Sequence, residues 1–336
     1  MRLRLHGDTL ARAGMLDFAV NVWPNPLPAA LKQVLRHALE QTGRYPEERE
    51  AREAVAARHG RDVEEVLLLN GACEAFWLLA HAVRPRLAAC IHPGFTEAEA
   101  ALRAVGSEIA RVFREPQRWT FDPAQVSEQA TVVVLDNPNN PTGTLEPAET
   151  VTALARRGLL LVVDESFIDF VPDEQASLAG RSDVPGLVVV RSLTKLWALP
   201  GIRAGYLLAA ADIVRRLAAQ RQPWSVNRLA CAALAVCADD RQTPRQQVAG
   251  EVAAARSELL EAFGQLPGVR VWPSAANFLL LELPHGPHVV EALRQRGIAV
   301  RPAASFPGLS DDHIRVAVRR PEENAQLLAA LAEVLA

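Results

Sequence analysis

Residues 131–143 read TVVVLDNPNNPTG, an unbroken run of mostly β-branched apolar side chains that stops at an acid and gives way to asparagine, proline and glycine. A continuous rather than alternating apolar run fits a strand covered on both faces, and Asn-Pro and Thr-Gly are turn formers. The same pattern recurs outward from it in VLLLN (66–70), AACIH (88–92), LLLVVDE (159–165), LVVVRS (187–192) and AGYLLA (204–209). Helical stretches such as ACEAFWLLAHAV (72–83) and PAETVTALARRG (147–158) separate these runs. Strands buried on both faces and alternating with helices make an α/β protein with a mostly parallel sheet.

Towards the N-terminus, PLPAALKQVLRHALEQTG (26–43) predicts a helix with an apolar stripe of Leu31, Val34, Leu35, Ala38 and Leu39, Pro28 in its first turn and Gly43 as its stop. An Ala-rich stretch over 227–263 predicts one or two helices and a change of organisation. Beyond it, VRVWP (269–273), NFLLLEL (277–283), IAVRP (298–302) and HIRVAV (313–318) alternate with shorter helices, predicting a smaller α+β domain that ends in the helix after Pro321. The expected division is an N-terminal arm and helix over 1–44, a large domain over 45–230 and a small domain over 231–336, with a cleft between the domains.

The 336 residues, 49% hydrophobic and 22% charged, supply a core for about two domains. A net charge of −3 offers no basic field for nucleic acid. The start MRLRLHGDTLARAG lacks a signal-peptide apolar core, and no run approaches the roughly 18 apolar residues of a membrane span, so a cytoplasmic protein is expected. Cys73, Cys90, Cys231 and Cys237 show neither CxxC spacing nor disulfide density; reduced, mostly buried thiols and no metal are expected.

In an open parallel sheet, ligands sit beyond the carboxyl ends of the strands. Gly71-Ala72-Cys73 follows VLLLN and opens a helix, where backbone N–H groups favour an anion. NPNNPTG follows VVVLD, Asp164 and Glu165 end the next run, and Ser192, Thr194 and Lys195 end another, with Arg203 eight positions past the lysine. Lys195 stands among Leu193, Leu196, Trp197 and Leu199, and by itself reads as a surface lysine on an inward-facing loop. The others also have plain readings: a turn for NPNNPTG, a cap for Asp164-Glu165, a surface Arg203, a core Phe95, snorkelling Arg301 and Arg315. No GxGxxG follows an early strand and no GxxxxGK[ST] loop exists. Together, a lysine for an aldehyde, a carboxylate for a ring nitrogen and donors for a phosphate suit pyridoxal 5′-phosphate.

NPNNPTG, VVDES, SLTK and the arginine of GIRAG resemble the fold type I pyridoxal-phosphate enzymes. HGD, DFAVNVWP, RYP, PWSVN, ANFLLLEL and VRPAASFPGLSDDHIRVAVR extend the likeness over nearly the whole chain to the histidinol-phosphate aminotransferase branch, and most closely to the threonine-phosphate decarboxylases of cobalamin synthesis. The resemblance implies a mostly parallel seven-stranded sheet with a smaller α+β domain. It implies that Lys195 bonds the cofactor aldehyde, Asp164 pairs with the pyridine nitrogen and Asn140 bonds the phenolic oxygen. Ser192, Arg203 and the amides of Ala72 and Cys73 hold the phosphate, Phe95 stacks on the ring, and Tyr45 reaches the phosphate of a neighbouring subunit in a homodimer. Arg301 and Arg315 take the substrate's anionic groups, assisted by His6 and Asn21.

Three departures from the aminotransferase pattern stand out. Phe167 replaces a tyrosine that donates to the phenolic oxygen, a departure that favours the decarboxylase. Trp23 stands where a small polar residue is usual, and Cys73 precedes Glu74 in place of an acidic or hydroxyl residue. The implied substrate is a small phosphorylated amino acid or amine: decarboxylation of O-phospho-threonine first, transamination of histidinol phosphate as the alternative, and a cofactor-binding regulatory module without turnover as a third reading, against which the intact lysine, aspartate and arginines count.

Overall fold

A computed structural model describes residues 6–24, 27–239 and 245–336. Its strands are, in chain order, β1 (Leu16–Asp17), β2 (Val66–Asn70), β3 (Leu87–His92), β4 (Glu108–Phe113), β5 (Val132–Asp136), β6 (Leu160–Asp164) and β7 (Leu187–Ser192). They continue with β8 (Ala204–Ala209), β9 (Arg270–Val271), β10 (Phe278–Glu282), β11 (Ile298–Ala299), β12 (Arg301–Pro302) and β13 (His313–Ala317). The large sheet has seven strands in the order β2-β8-β7-β6-β5-β3-β4. Within it β8 runs antiparallel to both of its neighbours, β2 and β7, and the other pairings are parallel.

The unbroken apolar runs have the predicted cause. Val162, Val188 and Val190 point into the cluster formed with the helices Glu74–Val83 and Thr96–Ala104. Their neighbours Leu161, Val163 and Val189 point into the opposite cluster, with Val55 and Ala233 of the helices Arg49–His59 and Arg228–Cys237. Both faces are therefore dry, and alternation has no reason to appear. The remaining strand, β4, lies at the edge and is largely half-exposed, with Glu108 and Phe113 exposed at its ends; its mixed sequence EIARVF is what an edge strand tolerates.

Two details of the first helix differ from expectation. It spans Ala29–Glu40 with Pro28 as its N-cap, and it ends in Gln41 rather than at Gly43. Leu31 and Ala38 are buried, but Leu39 is 60% exposed, because it lies off the inward stripe. The Ala-rich stretch forms two helices, Arg228–Cys237 and Arg245–Gly264.

A four-stranded antiparallel sheet, β12-β13-β10-β9, forms the smaller layer. The N-terminal arm ties the layers together: β1 pairs in parallel with β11, the Ala317 amide donates to the Phe18 carbonyl at 2.9 Å, and the Trp23 amide donates to the Lys195 carbonyl at 3.0 Å. Among the described residues no helix is long and apolar enough to cross a membrane. Cys90, Cys231 and Cys237 are buried free thiols, and Cys73 is half-buried.

Candidate active site

Strand register brings the chemistry into one row. Asp136 lies opposite Asp164 across β5 and β6, Ser192 opposite Gly205 across β7 and β8, and Asn70 opposite Ala204 across β2 and β8. Because β8 runs against its neighbours, its first residues, and Arg203 before them, meet the ends of β2 and β7. At this edge a cleft of about 580 Å³ is closed on its other sides by the arm and by β12 and β13. Of the thirteen residues given a role at the cofactor or substrate, Tyr45 alone does not line it.

One end of the cleft is built for an anion. Ala72 and Cys73 stand at the start of the helix Glu74–Val83, where N–H groups precede the intrahelical ladder. Gly71 has φ +80°, and a Cβ there would lie 2.3 Å from Arg203 Nη2, so the guanidinium packs directly on the glycine backbone. Arg203 itself is exposed at φ +60° and donates to the Pro200 carbonyl at 3.2 Å. Ser192 Oγ donates to Thr194 Oγ1 at 2.9 Å and accepts from the Thr194 amide.

In the middle lie Asp164 and Lys195. Asp164 Oδ1 accepts from Ser166 Oγ at 2.5 Å and from the Ser166 amide at 2.9 Å. Burial nevertheless pushes its carboxyl above the usual range, against the pull of those bonds and of Lys195, so its charged form calls for a further cation. The Lys195 ammonium is pushed down to about 8, first by burial and then by the positive charge of Arg315, with Asp164 opposing and Arg203 assisting. Phe167 brings no donor; its ring lies edge-on to Phe278 at 5.0 Å, with Lys195 Nζ 5.6 Å from its centroid. Phe95 is half-buried on the cleft wall, 6.1 Å from both the Phe76 and His6 rings.

The far end gathers cations. Arg301 and Arg315 are direct cross-strand partners on β12 and β13, an arrangement that costs free energy for like charges. Arg315 Nη1 donates to Asn140 Oδ1 at 2.6 Å and Nη2 to the Ala19 carbonyl at 2.8 Å, while its buried Nε has no partner. Burial and Arg301 bring Arg315 down to about 9, and burial brings Arg301 to about 10. Arg301 donates to Ser305 Oγ at 2.6 Å and lies over the Phe306 ring. Both side-chain amide atoms of Asn21 are buried without a partner, and His6 Nε2 lies 2.8 Å from Glu97 Oε1. Buried cations and an orphaned amide facing one space are a site shaped for anions.

Three residues named from the sequence lie outside the cleft. Tyr45 is 72% exposed, stacked on Trp224 at 4.5 Å outside its own chain's cleft. Trp23 is buried in the core and meets the site only through its backbone amide, so its side chain does not shape the cleft. Glu165 belongs elsewhere, in a buried network with Arg191, Ser177 and the Leu178 amide. Sequence reasoning missed Asp136, Glu97, Ser166 and Phe306, all of which line the cleft. Asp136 had a usable signal, since it ends VVVLD as Asp164 ends LLLVVD; Ser166 and Phe306 lie inside the quoted VVDES and VRPAASFPG stretches with no role read for them, and Glu97 sits in a helix without a signal.

A family model for aminotransferase class I and II matches residues 13–331. The chain belongs to this family. It is 40% identical to a histidinol-phosphate aminotransferase of Mycobacterium tuberculosis, over 98% of this chain and 90% of that relative. It is 35% identical to the threonine-phosphate decarboxylase of Salmonella typhimurium, over 96% of this chain and 91% of that one. The histidinol-phosphate aminotransferase structure from Clostridium acetobutylicum shares the fold, with a TM-score of 0.88 at 24% identity over 95% of this chain and 99% of that chain. This aminotransferase-family chain is a pyridoxal-phosphate-dependent enzyme of the fold type I group. The residues present fit the cofactor: the Gly71 and Arg203 cradle for its phosphate, Lys195 with a depressed pKa for its aldehyde, and a buried Asp164 in need of a cation for its ring nitrogen.

Proposed function

We propose that this enzyme decarboxylates a small phosphorylated amino acid, L-threonine O-3-phosphate being the preferred substrate. Bound pyridoxal phosphate supplies an electron sink for charge developing at the substrate's α-carbon; the chain's own residues decide which bond is aligned with it. Arg203, Ser192 and the Ala72 and Cys73 amides are assigned to the cofactor phosphate, Asn140 to the phenolic oxygen and Phe95 to the ring face. Asn140 Nδ2 is available for that bond because Oδ1 already accepts from Arg315.

The observation that carries the proposal is the paired Arg301 and Arg315 beside the orphaned Asn21 amide. A substrate phosphate taken by the arginines, Asn21 and His6 would offset two adjacent buried cations. Its carboxylate would then have no arginine of that pair to hold it and would be the group free to leave as carbon dioxide. Lys195 returns a proton to the α-carbon. Phe167 supports the same reading, since it supplies no hydrogen bond to the phenolic oxygen.

The aminotransferase reading keeps the same cofactor site and is favoured by the 40% identity to the mycobacterial relative. The two separate in one assay. The proposal predicts carbon dioxide release from L-threonine O-3-phosphate without any 2-oxo acid, and a loss on the order of a hundredfold or more in kcat/KM for Arg315→Ala, consistent with the loss of a buried charged contact. Inertness towards that compound, with conversion of histidinol phosphate only when 2-oxoglutarate is present, replaces decarboxylation with transamination. The proposed setting is a cytoplasmic homodimer in which Tyr45 completes the partner's phosphate site.

A further inference from the structure

Asp136 is buried at the end of β5, faces the cleft, and has none of the roles assigned above. Its Oδ2 accepts from two amides on different loops: Phe95 at 2.7 Å, in the loop after β3, and Asn140 at 3.3 Å, in the loop after β5. Those are the residues assigned to the face and the phenolic edge of the cofactor ring. The approach between these loops is close, since a Cβ at Gly94 would stand 3.6 Å from the same oxygen and 2.4 Å from the Ile91 carbonyl. One oxygen atom thus sets the spacing between two groups that would grip the ring from different sides.

We propose that Asp136 is a positioning residue for the cofactor: through Oδ2 it locks the Phe95 and Asn140 loops in register with Asp164, and it acts as a hydrogen-bond acceptor rather than as a charge. The charged groups around it favour the neutral form. Asp164 lies directly beside it in register on β6, and burial adds to its effect. Arg114 opposes them, but its guanidinium is engaged by Glu146 at 2.5 Å. Burial, followed by the charge of Asp164, brings Asp136 up to about 8. Asp164 has the hydroxyl and amide of Ser166 and the charge of Lys195 to hold its negative charge, whereas Asp136 has two backbone amides and the charge of Arg114, which Glu146 already engages. Burial raises both carboxyls, and of the two Asp136 has the fewer groups to hold a negative charge.

A neutral acceptor can be replaced by asparagine, whose Oδ1 accepts the same two bonds; alanine and serine cannot reach them. The test titrates apoenzyme with pyridoxal phosphate, following tryptophan fluorescence for affinity and visible circular dichroism for the asymmetry of the bound ring. Asp136→Asn is expected to stay within about threefold of wild-type affinity and to keep the dichroic band. Asp136→Ala and Asp136→Ser are expected to weaken binding about tenfold or more, as befits loss of two buried hydrogen bonds, and to reduce the band. Asp136→Asn carries the test if the smaller variants do not fold, and melting curves identify that case. Wild-type affinity and dichroism in Asp136→Ala or Asp136→Ser, or an Asp136→Asn protein impaired to the level expected of those variants, overturns the inference. The inference rests on the placement of the cofactor in this cleft and is independent of the reaction that follows. Failure of the wild-type protein to take up the cofactor would sink both, while normal uptake with silent Asp136 variants would sink this one alone.

Discussion

Lys195 is the residue on which sequence and physics meet. Apolar neighbours in SLTKLWAL predict a lysine with less water than usual, but the sequence does not say which charges face it. Those charges are set by folding: Arg315 arrives from β13 and Arg203 from the turn before β8, and with burial they bring the ammonium to about 8. A lysine with a depressed pKa is a neutral nucleophile above that value and an unreactive ammonium below it. The rate at which apoenzyme takes up pyridoxal phosphate, followed by visible absorbance, should therefore climb with pH and level off above about 8. An ordinary lysine would keep gaining up to roughly 10.4. Replacing Arg315 with alanine removes a positive charge, which lets the ammonium persist, so the plateau should move to higher pH. A plateau unmoved by Arg315→Ala would mean that burial and Arg203 set the lysine without Arg315.

At the scale of elements, what can be read in advance depends on whether a strand's environment is uniform. The central strands are dry on both faces and announce themselves as unbroken runs. The edge strand β4 has no such uniformity, and the two-residue pairings of β1 with β11 and of β12 with β13 are too short to leave any period. The cross-strand meeting of Arg301 and Arg315, and of Asp136 and Asp164, is likewise a matter of register that spacing along the chain does not encode. Gly71 belongs to this scale, because it lets the end of β2 turn at φ +80° while Arg203 from the turn before β8 packs on it. Gly71→Ala should cost about 1–3 kcal/mol of stability from the strained backbone and displaced guanidinium, and should weaken cofactor binding as well. Thermal melts and a cofactor titration check both; an unchanged affinity would remove Arg203 from the phosphate site.

Across the whole molecule, the arm, the edge of the large sheet and the small sheet each supply one wall of the cleft. Tyr45 and Trp224 face outward as a stacked, exposed pair, which the proposed homodimer would cover with Tyr45 at the partner's site. Mixing Tyr45→Ala with Lys195→Ala protein should produce heterodimers holding one site free of both lesions, and activity above the mean of the two parents. A monomer with full activity in sedimentation would end that reading. The placement of the cofactor is tested most directly by reducing the yellow holoenzyme with borohydride and mapping the modified peptide. The adduct should lie on Lys195 and be absent from Lys195→Ala; a stable adduct on Lys32, the other lysine of the chain, or its persistence in that variant, would contradict the site described here.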